Sequence, residues 1–88
     1  MNAIWKFELK PLISQEIEVP AGAEILTVNV INNIGYLWAK VNKDVIGNEI
    51  IKILIIPTGY GFEHQGEYLG TLFYNEGKLV QHVFRLNQ

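Results

Sequence analysis

Apolar and polar residues alternate with a period of two from near the start of the chain. Ile4 to Lys10 places Trp5, Phe7 and Leu9 on one side and Lys6, Glu8 and Lys10 on the other, the pattern of a half-buried strand. Pro11 stops it. Gln15 to Val19 repeats the pattern, with Ile17 and Val19 inward and Glu16 and Glu18 outward. Pro20-Ala21-Gly22-Ala23 reads as a turn, because proline presets φ and glycine accepts a positive one. Glu24 to Asn32 sets Leu26, Val28 and Val30 against Ile25, Thr27, Asn29 and Ile31. Both sides are fairly apolar, which predicts a strand inside a sheet or between two layers. Asn32-Asn33-Ile34-Gly35 predicts a tight hairpin loop. Tyr36 to Val41 returns, with Tyr36 and Trp38 opposite Leu37, Ala39 and Val41.

The strongest single signal is Ile50-Ile51-Lys52-Ile53-Leu54-Ile55-Ile56, five of whose seven residues are isoleucine. β-branched side chains are stiff at χ1 and suit a pleated surface. A run apolar on both faces predicts a central strand covered on each side. Pro57 ends it, since proline cannot donate to the ladder. Before it, Asn42 to Glu49 is the most polar connection and predicts an exposed, mobile loop. After it comes Thr58–Gly66, with three glycines and two aromatics. Glu67 to Tyr74 predicts another strand and Asn75-Glu76-Gly77 a three-residue hairpin loop. Lys78 to Leu86 closes the chain, with Val80, His82, Phe84 and Leu86 on one face and Leu79, Gln81, Val83 and Arg85 on the other.

Short strands at regular spacing, with no helical period anywhere, predict one all-β domain over residues 1–88. About seven antiparallel strands would form a sandwich with Greek-key or jelly-roll connections, or a partly closed barrel. The first strand is expected to pair near the last, which would protect an edge.

Composition narrows the function more than the fold. Nine acids against seven scattered bases leave a formal charge of −2, with no basic patch for phosphate contacts or anionic lipid. Neither nucleic acid nor a membrane is the expected partner. There are no cysteines, which removes disulfides, thiolate metal sites and cysteine nucleophiles. The start of the chain shows no secretory pattern. A soluble, intracellular protein is the expectation.

The order of several short segments carries a resemblance. Ile4-Trp5-Lys6-Phe7, Glu16-Ile17-Glu18-Val19-Pro20-Ala21-Gly22-Ala23-Glu24-Ile25-Leu26 and Leu37-Trp38-Ala39 come first. Thr58-Gly59, Tyr68-Leu69-Gly70-Thr71-Leu72, Leu79-Val80 and His82-Val83-Phe84 follow. Together they resemble a family of short, uncharacterised proteins of bacteriophages and prophages. The resemblance implies phage origin and an all-β fold, and brings no activity with it. The family loop after the isoleucine strand reads Gly-Thr-Gly-His-Pro. Pro57-Thr58-Gly59-Tyr60-Gly61 departs from it, so no histidine role carries over.

Candidate chemistry is sparse. Ser14 and Asp44 are the sole serine and aspartate, both in expected loops, so a catalytic triad can barely be assembled and no enzyme is predicted. Glu16 with Glu18 looks like a solvated strand face. Glu63, His64 and Glu67 form an incomplete metal set, since a site needs three or four convergent ligands; no metal or other cofactor is expected. His82, between Val80 and Phe84, reads first as a core histidine bonded to a carbonyl and second as a ligand or proton switch. Trp5, Trp38, Tyr68, Phe73 and Phe84 fall at strand spacing and read as core. The aromatic loop is different. Thr58, Tyr60, Phe62 and His64 crowd a glycine-rich stretch, and exposed rings are enriched at binding hot spots.

Three functions are compatible with this inventory. The first is a phage-type, non-enzymatic binding module contacting a host or phage protein, such as an inhibitor of a bacterial host or defence factor. The second sequesters a nucleotide-like signal, with Tyr60 and Phe62 as ring contacts and Arg85 on phosphate. The third is a virion structural or assembly component. Spare strand surface also makes a homo-oligomer compatible with each.

Overall fold

The computed structural model describes residues 1–63 and 66–86, and they form seven strands in two antiparallel sheets packed face to face. The strands are β1 (Asn2–Leu9), β2 (Ser14–Pro20), β3 (Glu24–Ile31), β4 (Ile34–Asn42), β5 (Asn48–Pro57), β6 (Gly66–Tyr74) and β7 (Leu79–Leu86). One sheet has the order β1-β4-β3 and the other β2-β5-β7-β6. Only β3–β4 and β6–β7 are hairpins; the other pairings join strands distant in sequence. The sandwich is therefore held by long-range ladders, and no closed barrel forms. The expected pairing of first and last strands does not occur. β1 pairs with β4, while β7 lies inside the other sheet between β5 and β6.

The interior is aliphatic. Leu37, Ala39 and Val41 of β4 share one buried cluster with Ile51, Ile53 and Ile55 of β5, to which Leu9, Ile17, Val19, Val28, Leu72 and Val83 also belong. Each leucine, isoleucine or valine removed from water contributes about 1.5–3 kcal/mol. The five large aromatics expected in the core are not there. Trp5, Tyr68 and Phe73 are exposed, and Trp38 and Phe84 are half-buried. Trp38 lies on the outer face of its sheet, its indole N–H donating to Asn29 Oδ1 at 2.7 Å.

β5 is central, between β2 and β7, but it is covered on one face rather than both. Ile51, Ile53 and Ile55 point into the layer, while Ile50 stays 51% exposed and Lys52 is exposed. The outer face closes at Ile56, which is only 6% exposed. β7 presents its mixed face inward: Val83 is buried beside Ile55, and His82 pairs with Ile56 on the outside. The reading of His82 as a core residue is corrected by this register.

Two bulges reset the alternation. In β3 the register shifts between Ile25 and Thr27, so Leu26 is the extra residue and lies exposed. Ile25, not Leu26, then joins Val28 and Val30 on the core side. In β6 the shift falls between Tyr68 and Gly70. Gly70 has φ +151°, and a Cβ there would stand 2.8 Å from Val28 Cγ2. Glycine at this bulge lets β6 approach β3 where the two sheets meet.

The β3–β4 hairpin turns on two residues, Asn32 and Asn33, with φ 51° and 63°. That is the type I′ geometry matched to strand twist, and asparagine tolerates it. Gly35, expected in the loop, sits inside β4, and a Cβ there would lie 2.7 Å from the Tyr74 hydroxyl. Burial raises the pKa of that hydroxyl above the usual tyrosine value.

The seam between β3 and β6 gives the first prediction. Gly70→Ala is expected to lower the unfolding free energy by about 1–3 kcal/mol, through strain and a clash with Val28. Gly61→Ala, where an added Cβ meets nothing within 4 Å, should cost less than about 0.5 kcal/mol. Urea unfolding of both variants checks this, and equal losses would contradict it.

Candidate functional site

The segment after β5 folds back over the outer face of the four-stranded sheet. Pro57 still pairs with Gln81, and the Thr58 N–H donates to the Val80 carbonyl at 3.0 Å. The Tyr60 N–H then closes a turn on the Pro57 carbonyl at 3.2 Å. Gly59, third in that turn, has φ +92°, which a type II turn requires and glycine supplies without strain. The turn brings Tyr60 and Phe62 beside Ile56 and the outer residues of β6 and β7.

Tyr68 of β6 and Phe84 of β7 are cross-strand neighbours, with ring centroids 5.4 Å apart in an edge-on arrangement. Phe62 packs on the same Phe84 ring from the loop, also at 5.4 Å, tilted by 41°. These rings, with Tyr60, surround a shallow hollow of about 220 Å³ that also touches Ile56, Thr58 and His82. The walls remain wet: Tyr60 is 64%, Tyr68 53% and Phe62 49% exposed.

A chain of hydrogen bonds lies beside the rings. Thr58 Oγ1 is 2.7 Å from His82 Nε2 and 3.3 Å from the Val80 carbonyl oxygen. On the other side of the imidazole, Thr71 Oγ1 is 3.4 Å from Nδ1 and is itself bonded to the Tyr68 hydroxyl. Since Val80 offers only an acceptor, one direction satisfies every member. Tyr68 donates to Thr71, Thr71 to His82 Nδ1, His82 Nε2–H to Thr58, and Thr58 to Val80. In that arrangement both ring nitrogens are committed. The imidazole pins the loop to the sheet and is not aimed at Thr58 as a base.

The residues singled out from the sequence divide. Thr58, Tyr60 and Phe62 come together at the hollow. His64 lies outside the described residues, and so does any Glu63–His64–Glu67 metal set. Arg85 belongs to the other side of β7, paired with the fully buried Ile53 and with Glu67. It is not among the residues that line the hollow. Sequence reasoning placed Tyr68 and Phe84 in the core and read His82 first as a core residue and second as a ligand or proton switch. Their shared position depends on which face of β7 points inward, and both faces are apolar enough to bury.

The hydrogen-bond chain is open to test. In the native protein His82 should carry its proton on Nε2, read from long-range proton–nitrogen correlation spectra at a pH where the ring is neutral. Thr58→Val should cost about 1 kcal/mol and speed amide exchange at residues 58–60. The opposite tautomer, or unchanged exchange in the variant, would contradict the assignment.

The sequence model of a family described as a domain of unknown function, DUF7352, covers residues 1–88. No curated protein and no solved structure matches the chain. The chain thus belongs to the DUF7352 family.

Proposed function

We propose that this chain is a phage-type binding module that takes one side chain of a protein partner into the hollow between the Thr58–Phe62 turn and the outer face of the four-stranded sheet. The partner is a bacterial host or defence protein, met in the host cytoplasm; the resemblance to short phage proteins supports that part of the reading. The observation that carries the docking site is the exposure of Tyr60, Phe62 and Tyr68 around one depression. Ring surface left in water is costly, and aromatic residues dominate interface hot spots.

Size favours a protein over a small molecule. Pockets for drug-sized ligands run to about 300–1,000 Å³, whereas this one is about 220 Å³, room for a single side chain. The nucleotide-sequestering alternative also loses its phosphate contact, since Arg85 faces the other way. A protein partner can add contacts over neighbouring exposed residues of the same sheet face, such as Phe73.

Selection from a displayed random-peptide library tests the proposal. It should yield peptides with one common anchor residue that shift the amide signals of residues 58–62, 68, 82 and 84. Phe62→Ala, still folded by its amide spectrum, should weaken them about tenfold or more, the loss expected of a hot-spot ring. Selected peptides that perturb a different face, or no selected peptide at all, would overturn it.

A further inference from the structure

We infer that the free edge of β1 pairs with the same edge of a second copy of this chain, the two strands running antiparallel about a two-fold axis at Trp5. This edge belongs to the three-stranded sheet, apart from the docking site on the other. Among the described residues β1 is paired on one side only, with β4, over its whole length and without a register shift. The Lys43 N–H donates to the Met1 carbonyl at 2.8 Å, which makes residues 1 and 43 a hydrogen-bonded pair of that ladder. Such pairs alternate with non-bonded ones along an antiparallel strand. The odd residues of β1 therefore bond to β4, and the N–H and C=O groups of Asn2, Ile4, Lys6 and Glu8 point to the open side. Beyond Glu8 the edge is closed, because the Lys10 N–H and carbonyl both bond the Gln15 side-chain amide at 2.9 Å.

The other edges carry guards that β1 lacks. β3 and β6 are bulged, and β2 bears Glu16 and Glu18 and ends in proline. β1 has no proline, glycine or bulge. Lys6, the charge at its middle, reaches back over its own sheet, with Nζ 4.6 Å from the centroid of the Tyr36 ring. Trp5 marks uncovered ground. By alternation it shares the inward side with Ala3, Phe7 and Leu9, yet it is 42% exposed.

A second copy fits this edge in hydrogen bonding, size and charge. With the axis at Trp5, Ile4 stands opposite the copy's Lys6 and Asn2 opposite its Glu8, so the free N–H and C=O groups of all four residues find partners. The Asn2 amide can donate to the carboxylate it faces, and no like charges are opposed. On the inward side Trp5 meets its own counterpart, and Ala3 lies against the copy's Phe7, small against large. An axis at Lys6 would oppose two lysines, and one at Phe7 would call on the occupied groups of Lys10. The contact is isologous and closes at two copies.

Sedimentation of the full chain over a concentration series should reveal a species of twice the 10.0 kDa chain mass, with a Kd of about 1 mM or tighter. Ile4→Pro removes an N–H that only the copy uses, and proline is tolerated on such an edge. The variant should stay folded and dimerise at least about tenfold more weakly, the loss expected from the hydrogen bonds removed in both copies. Single cysteines locate the axis without relying on that proline, since the chain has none of its own. Residues opposed in a non-hydrogen-bonded pair have Cα atoms about 4.5 Å apart, within disulfide range. Under mild oxidation Trp5→Cys should therefore join two chains faster than Lys6→Cys or Phe7→Cys. A chain that stays monomeric at every concentration overturns the inference, and so does a folded Ile4→Pro chain that dimerises unchanged. Faster joining through position 6 or 7 overturns it too.

Discussion

One dry aliphatic layer, a side chain deep on each side, decides which way every strand faces. Ile51, Ile53 and Ile55 bury by pointing into the layer they share with Leu37, Ala39 and Val41. Once they do, alternation turns Ile56 outward, and the ladder carries that choice to β7, where His82 and Phe84 follow it. β6 then adds Tyr68 and Thr71 to the same outer face. The candidate site is thus a by-product of core packing. Residues rejected by the layer are too apolar to stand alone, and the turn after Pro57 folds back to shelter part of them.

That turn completes the logic. Gly59 permits the reversal, and the Thr58–His82 contact ties its end to the sheet. The loop buries Ile56 while leaving its own rings half in water, so one local structure both protects the sheet and presents a surface. Across the molecule, the glycine at the β6 bulge allows the close approach to β3 on which the shape of the sandwich depends. The remaining edges are managed differently: β2 carries Glu16 and Glu18 along its outer face and ends at Pro20, features that discourage a further strand.

Much of this was legible in the sequence, and the failures have physical causes. Period-two patterning and turn residues located all seven strands within a few positions, and Asn32-Asn33 marked a genuine hairpin. Facing was harder. In β3 one extra residue, Leu26, inverts the pattern, and nothing in the residue types announces a bulge there. In β7 both faces contain apolar residues, so hydrophobicity could not choose Val83 over Phe84. Strand partners were unreadable because most pairings are long-range. The site inherits these limits. Thr58, Tyr60 and Phe62 stood out because glycines bracket the rings, whereas His82, Tyr68 and Phe84 join them only through register. Arg85 was assigned to the same site although a one-residue step along a strand sends a side chain to the opposite face.

The account stands on that choice of face in β7 and β6, and the absence of native cysteine makes it directly measurable. Single cysteines placed at adjacent positions, His82→Cys against Val83→Cys and Phe73→Cys against Leu72→Cys, can be timed with a thiol reagent under native conditions. The cysteines at 82 and 73 should react within the time of the free thiol, slowed only by partial cover, while those at 83 and 72 should wait for global unfolding. Rapid labelling at 83 with protection at 82 would place the aromatic face inside the sandwich and remove the site altogether.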